Sequence, residues 1–404
     1  MLIVVSAVDD MRIGILTFHS QINYGALLQA YAMQSVYQEL GHAPLIIDRW
    51  LNPNSAVLSW CCHKSFMGWI KDVLSFLYGI GIWSKYVRYW KTIRFLKRRL
   101  KLTSYHFHDW KEAPKDLGVD LISVGSDQVW NAKLFPVAPY FLKGASEEVP
   151  AITYAASLGM PSIPEEFHGL YQDGMRRFMA ISVRENEGVK LLESLGVKSA
   201  QVVDPTLLVD QNVWKRLIGG HCSKKKKLVV YVLAENVWNM LPALEKFAKC
   251  NSCQVTLLVE GFEKRYGKSF IASIDFFKTK LKLLRSPVRI FASAGPIDFG
   301  REIWSASWVV ANSFHALMFS IIFRRQIRVI MPHDETRQGM HSRMAEFSGS
   351  VVEGPLMQQS LEASLASIER GEEISFNESV LNKKIEESRQ WLSNAIEKCQ
   401  ASIR

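Results

Sequence analysis

The chain has 404 residues, 48% of them hydrophobic and 22% charged, with 49 Lys and Arg against 39 Asp and Glu for a formal charge of +10. That length exceeds the roughly 250–300 residues at which a single core stops growing, so two domains are expected, and the composition excludes wholesale disorder. Eight cations and no acid fall between Lys85 and Lys101, leaving the other residues a net charge of only +2, which excludes a uniformly basic coat for nucleic acid.

The apolar run Leu2–Val8 has no cationic start and meets Asp9 and Asp10, a pattern unlike a signal peptide. Met11 is a second methionine, so residues 1–10 read as an over-called start or a dispensable extension. From Arg12 onward, short apolar runs alternate with helix-length segments. Strands are expected at Arg12–Phe18, Leu45–Asp48, Leu121–Val124, Ile152–Ala155, Ile181–Arg184 and Gln201–Val203, with helices at Ala26–Leu40, Glu165–Met179 and Asn186–Leu195. Fully apolar strands separated by helices predict a parallel sheet covered on both faces.

An insertion over residues 51–110 interrupts this pattern. Its stretch Phe66–Trp83 contains Lys71 and Asp72 and makes a poor membrane span. On a helix over residues 85–101, Tyr86, Tyr89, Trp90, Ile93, Leu96 and Leu100 fall on one side, and every cation but Lys97 on the remaining arc. One reading is an apolar face covering the first domain with its charges in water. The other is an interfacial helix docking on anionic lipid.

Gly219–Ser223 followed by Lys224–Lys227 reads as a linker. Strands are then expected at Leu228–Leu233, Val255–Val259, Val288–Phe291, Trp308–Ala311 and Ile327–Met331, with helices at Val237–Lys249 and His315–Phe323. The expected fold is α/β, with two Rossmann-like domains facing across a cleft: residues 11–218, 224–375, and a C-terminal helical segment 376–404 packing back on the first. The six cysteines, Cys61, Cys62, Cys222, Cys250, Cys253 and Cys399, are too irregular for a disulfide framework and point to a reducing, cytoplasmic setting. Cys250 and Cys253 have no second ligand pair nearby and read as plain thiols, so no metal is expected.

In open parallel sheets, ligands bind beyond the carboxyl ends of the strands. Four such loops carry polar residues. After the first strand comes Phe18-His-Ser-Gln-Ile-Asn-Tyr-Gly25, where helix-terminal amides suit an anion, although the spacing favours capping by Asn23. After the next apolar strand, Gly125-Ser-Asp-Gln-Val-Trp-Asn131 offers Ser126, Asp127 and Gln128; Asp127 suits a general base or a helix cap, and both readings stand. In Ile181-Ser-Val-Arg-Glu185, the fork of Arg184 suits a carboxylate or phosphate, with an ion pair to Glu185 or Glu187 as the alternative. Last comes Asn312-Ser-Phe-His315, where His315 opens an apolar helix beside Ser313 at a strand-to-helix corner.

Together these segments resemble the polysaccharide pyruvyl transferase family. The resemblance rests on Gly14-Ile-Leu-Thr-Phe18, Asn23-Tyr-Gly-Ala-Leu-Leu-Gln-Ala30, Val124-Gly-Ser-Asp-Gln-Val-Trp-Asn131, Tyr154-Ala-Ala-Ser-Leu-Gly159, Ile181–Glu185, Asp204-Pro-Thr-Leu-Leu208 with Trp214, and Ser313-Phe-His315. It implies a GT-B-like fold. It also implies transfer of the enolpyruvyl unit of phosphoenolpyruvate to a sugar of a cell-surface or exopolysaccharide precursor, forming a pyruvate ketal and releasing phosphate. No cofactor or metal is implied.

On that resemblance His315 protonates the donor's methylene carbon or bonds its phosphate. Arg184 and Arg343 hold the donor anions, with Arg337 as the fallback and Ser313 beside them. Asp127 faces the acceptor hydroxyls, with Asn23, Tyr24, Gly25, Ser126 and Gln128 on the acceptor side. Ser313 stands where some family members carry arginine. Two other functions fit the same scaffold. One is a nucleotide-sugar glycosyltransferase, which would need a nucleotide-binding acid in the second domain; Glu260 is the candidate, although its place at a strand end favours a plain surface carboxylate. The other is a catalytically silent glycan- or lipid-binding protein. The expected partners are phosphoenolpyruvate, a sugar or lipid-linked glycan, and an anionic membrane surface at residues 85–101 on the inner face of the membrane; nucleic acid is not expected, for no binding motif accompanies the basic segment.

Overall fold

A computed structural model of the chain describes residues 10–50, 81–134, 136–220, 225–233, 237–259, 286–331 and 338–403. Cys61, Cys62, Cys222, Glu260, Arg337 and most of Phe66–Trp83 lie outside the described residues. Arg343 lies on a described helix, with its side chain outside them.

The first half builds β1 (Arg12–Leu16), α1 (Tyr24–Glu39), β2 (Ala43–Arg49), α2 (Gly81–Arg99), β3 (Leu102–Phe107), β4 (Leu121–Val124) and β5 (Ala151–Thr153). The five strands pair in the order β3-β2-β1-β4-β5, all parallel. β1 and β4 are almost wholly apolar because helices cover both faces of the sheet. α1 is buried around most of its circumference, as a helix wedged between the sheet and a second domain must be. Then follow α3 (His168–Met175), β6 (Ser182–Val183), α4 (Asn186–Ser194), β7 (Ala200–Gln201), α5 (Pro205–Leu208) and α6 (Gln211–Ile218). The short pair β6–β7 is tied to the strand β5 region by single bridges at Ile152–Ala180 and Ala156–Val183.

The second half contains β8 (Lys227–Tyr231), α7 (Val237–Cys250), β9 (Gln254–Leu258), β10 (Val288–Phe291), α8 (Pro296–Ser305), β11 (Trp308–Ala311), α9 (Phe314–Ile322), β12 (Gln326–Ile330), α10 (Gln338–Val351), β13 (Val352–Glu353), β14 (Met357–Gln358), α11 (Leu361–Glu369), β15 (Ser375–Phe376) and α12 (Glu378–Ile403). Its sheet runs β10-β9-β8-β11-β12-β14, again parallel throughout. Lys227, expected in a solvated linker, opens β8 instead: its ammonium is held by Glu302 at 2.5 Å and by the Ser305 hydroxyl at 2.9 Å.

Both sheets reverse their strand order once, between β1 and β4 in the first and between β8 and β11 in the second. Ligands bind in open α/β sheets at such crevices. The two crevices face each other, because one continuous apolar core runs from Ile13 and Tyr24 through Trp214 to Phe299, Val309 and Phe319. Tyr24 packs against Tyr231 and Phe299, with ring centroids 5.9 and 5.3 Å away, and Trp214 meets Phe319 at 4.9 Å. α12 lies against the first sheet's side. The Val203 amide donates to the Ser388 hydroxyl at 3.0 Å, Arg389 pairs with Glu39 at 3.1 Å, and Lys398 donates to the Met179 carbonyl at 2.9 Å.

α2 is turned part-way from the expected face. Leu96, Leu100 just past the helix and the partly buried Ile93 pack on the core as expected, but Arg88, Thr92 and Phe95 are buried beside them, whereas Trp90 is 56% exposed under the Arg94 guanidinium. The reason is electrostatic. Two cations that a helical projection assigns to water find acceptors on the second domain: Arg88 donates to the Val259 carbonyl, and Lys91 donates to the Ser293 carbonyl and pairs with Asp298 at 2.7 Å. Arg94, Lys97, Arg98 and Arg99 remain in solvent. Among the described residues no helix is long and apolar enough to cross a membrane.

Candidate active site between the two sheet crevices

Each loop at the β1/β4 crevice is held by its own sequence. Gly125 ends β4 with φ +120°, and a Cβ there would stand 2.2 Å from the Tyr154 carbonyl, so only glycine fits. Asp127 follows with φ +66°, a conformation that aspartate tolerates better than most residues. No helix follows β4 directly. The Asp127 carboxylate accepts from the Gln128 amide at 2.9 Å, and the Ser157 amide donates to the Asp127 carbonyl. The Thr17 hydroxyl reaches the Ser126 carbonyl, tying the β1 and β4 loops together.

The centre of the site is Asp204, which is buried at the N-cap of α5. Its Oδ1 takes the Thr206 amide and hydroxyl, at 3.0 and 2.7 Å. Its Oδ2 takes Arg184 Nη1 at 2.8 Å and the Ser126 hydroxyl at 3.2 Å, and lies 3.8 Å from His315 Nε2. Arg184, from the end of β6, crosses the gap so that its guanidinium lies 3.9 Å from the centroid of Phe314 on the second domain. Neighbouring Glu185 uses Oε1 to gather the Ser157 hydroxyl and the Leu158 and Gly159 amides.

His315 stands in the first turn of α9, a helix buried along its whole length. Its imidazole lies on the first turn of α1: a Cβ on Gly25 would come 2.1 Å from His315 Nδ1. Gly25 is therefore glycine because the opposite domain's histidine occupies the space a methyl group would need. Asn312, just before, bridges back to the end of β8 by exchanging two hydrogen bonds with the Leu233 backbone, at 2.7 and 3.1 Å.

Burial pushes the His315 pKa below its ordinary value; Asp204 and Asp127 pull it up and Arg184 pushes it further down, and the net direction is downward. The imidazole is thus neutral near pH 7. Burial works against the charge of Asp204, yet His315 and Arg184 hold its carboxyl below the usual range. Burial also opposes the Arg184 charge, which Asp204, Glu185 and Asp127 more than restore. Three buried polar atoms in this cluster have no hydrogen-bond partner among the described residues: His315 Nε2, Arg184 Nε and Glu185 Oε2. Arg184 Nε and Glu185 Oε2 face each other at 3.9 Å, and His315 Nε2 faces Asp204 at 3.8 Å, each beyond hydrogen-bond reach.

The structure thus brings His315, Arg184, Ser126 and Asp127 together and places the remaining expected residues around them. Arg184 is ion-paired, with Asp204 rather than with Glu187, and Glu185 is a longer contact at 3.9 Å. The Tyr24 ring packs in the aromatic seam between the domains. Gln128 accepts from the Asn131 amide at 2.9 Å, and Ser126 turns to Asp204. Asn23 caps α1 through the Ala26 amide, as its spacing suggests. Ser313 is the N-cap of α9 without a side-chain capping bond. Asp204 and Glu185 were missed as site residues. The Asp-Pro-Thr string around Asp204 has a sufficient local explanation as a helix cap, and nothing in it announces partners at Ser126, Arg184 and His315. Among the described residues no group of His, Cys, Asp and Glu is placed to hold a metal ion.

A model of the polysaccharide pyruvyl transferase family matches residues 23–334. No curated protein matches the chain. Among solved structures, the UDP-GlcNAc 2-epimerase of Neisseria meningitidis bound to UDP-GlcNAc is similar at 8% identity, over 96% of this chain and 99% of that one, with a TM-score of 0.50. Another UDP-N-acetylglucosamine 2-epimerase is similar at 9% identity, over 94% and 90% of the two chains, with the same TM-score. The epimerase of Rickettsia bellii covers 97% of this chain and 96% of its own at 11% identity and a TM-score of 0.49. The architecture is accordingly α/β and GT-B-like, with two Rossmann-like sheets.

Proposed function

The chain belongs to the polysaccharide pyruvyl transferase family, and from that premise we propose that it transfers the enolpyruvyl unit of phosphoenolpyruvate to two hydroxyls of a sugar in a polysaccharide precursor. The product is a pyruvate ketal. One observation carries the reading: Asp204, Arg184 and His315 meet between the two sheet crevices with Arg184 Nε and His315 Nε2 left unsatisfied, an arrangement that suits an anionic substrate needing a proton moved.

In the first step a sugar hydroxyl adds to the central carbon of the enol, and the methylene carbon becomes a methyl group. Neutral His315 takes the hydroxyl proton at Nε2 and delivers it to that carbon, while Asp204 stabilises the transient imidazolium. The second hydroxyl then displaces phosphate from the same carbon, and its proton leaves with the phosphate. Arg184 binds the donor's anionic groups, with Arg343 on α10 as its counterpart from the second domain. Asp127 orients the acceptor. The exposed cationic side of α2 supports docking on an anionic membrane that presents a lipid-linked acceptor.

Phosphate release from phosphoenolpyruvate, measured with a panel of simple and lipid-linked galactosides and mannosides, tests the assignment. His315→Ala should lower turnover about 10²–10⁴-fold, the usual contribution of a general acid–base group. Undiminished release in that variant would remove His315 from the mechanism.

A further inference from the structure

The first sheet carries a second unsatisfied cation, outside the Asp204 cluster. Arg49 is the last residue of β2, at the carboxyl edge where ligands enter. Its side chain is buried, at 6% exposure, yet Nε and Nη1 have no hydrogen-bond partner among the described residues. The guanidinium lies 5.1 Å from the centroid of Tyr140, whose ring packs edge-on against Phe18 from the loop after β1. Burial raises the Tyr140 hydroxyl's pKa, and Arg49 works against that rise, while Asp127 is close enough to add to it. Arg49 ends the strand next to β1 and so stands beside the loop that carries Phe18, at the carboxyl edge of the first sheet.

The adjacent acid does not neutralise it. Successive strand residues point to opposite faces, and Asp48 is engaged on the other face. One Asp48 oxygen receives both the Trp50 indole at 2.8 Å and His19 Nε2 at 2.9 Å. A guanidinium withdrawn from water with no carboxylate bonded to it among the described residues is a costly arrangement that a bound anion would relieve, and its planar fork matches carboxylate or phosphate oxygens.

We propose that Arg49 and the Tyr140 hydroxyl form an oxyanion subsite, separate from Arg184, that takes a negatively charged group of the acceptor sugar. Assigning the anion to the acceptor rests on the pyruvyl transfer reading; the existence of the subsite does not. A lone neutral sugar would leave Arg49 as it stands, whereas a sugar phosphate or a sugar acid would satisfy it.

The test is ligand-observed NMR with glucose 1-phosphate, glucuronate and glucose on the wild type and on Arg49→Gln, Arg49→Lys and Arg184→Gln. One of the two charged sugars should bind the wild type and Arg184→Gln while glucose does not, and which one binds distinguishes phosphate from carboxylate as the source. Arg49→Gln should weaken that binding by at least about tenfold, the loss of one charge-assisted hydrogen bond. Arg49→Lys keeps the charge but not the fork, so it should also bind more weakly, and it serves if the glutamine variant does not fold. Equal binding to the wild type and both Arg49 variants would overturn the proposal, as would loss in Arg184→Gln alone. Failure of phosphoenolpyruvate turnover, measured separately, would count against the pyruvyl transfer reading and leave this result standing.

Discussion

At the residue scale the site is a problem in placing charge out of water. His315 is buried with its pKa depressed, so the folded protein resists its protonation. The contribution of neutral His315 to stability is complete above the ordinary histidine pKa of about 6.5 and is lost as the pH falls through that value toward the lower folded one. Stability measured by denaturant titration from pH 7 to pH 5 should therefore fall less steeply in His315→Gln than in the wild type; parallel curves would show that the imidazole titrates as it does in the unfolded chain. The same residues show what a sequence displays and what it hides. His315, Arg184 and Asp127 stand out because each is polar at the end of an apolar strand or the start of an apolar helix. Asp204 does not, because a helix-capping role explains it locally and its other partners lie 20, 78 and 111 positions away in the chain.

At the element scale, apolar strands inside the sheets could be located closely: Leu121–Val124 and Trp308–Ala311 are found where continuous apolar runs put them. β3 was not foreseen. It is an edge strand of sequence Leu-Thr-Ser-Tyr-His-Phe, half solvated, with no apolar run to signal it. α2 was foreseen as a helix with Ile93, Leu96 and Leu100 inward, but its buried side extends to Arg88 and leaves Trp90 out, because a projection along one helix contains no information about acceptors on another domain. Its cations consequently do two jobs. Arg88 and Lys91 join the second domain, whereas Arg94, Lys97, Arg98 and Arg99 are exposed and carry the proposed membrane docking. Co-sedimentation with anionic liposomes should drop sharply when those four are neutralised, since each basic residue near such a surface is worth about 1 kcal/mol. Neutralising Lys91 should leave sedimentation unchanged. Four-site variants that still sediment would remove α2 from membrane docking.

At the scale of the whole molecule, the two sheets share one apolar core, through Tyr24, Trp214, Phe299 and Phe319. Domains joined by small polar interfaces move independently, but an extensive apolar seam ties their stabilities together. Thermal unfolding should therefore show one transition for both sheets. Leu392→Ala, which opens a cavity where α12 meets the first domain's side, should destabilise that single transition by about 2–5 kcal/mol. Two separated transitions, with only one shifted, would mean that the seam does not couple the halves. The position of α12 also has a consequence for synthesis. A chain leaves the ribosome from its N-terminus, at about 5–20 residues per second, and domains generally fold in that order. Here Glu39, Met179 and Val203 find their partners 350, 219 and 185 residues later in the chain. The first sheet can form early, but its last flank stays bare until α12 has been made, so the earlier half is completed only after the second sheet's residues have been translated.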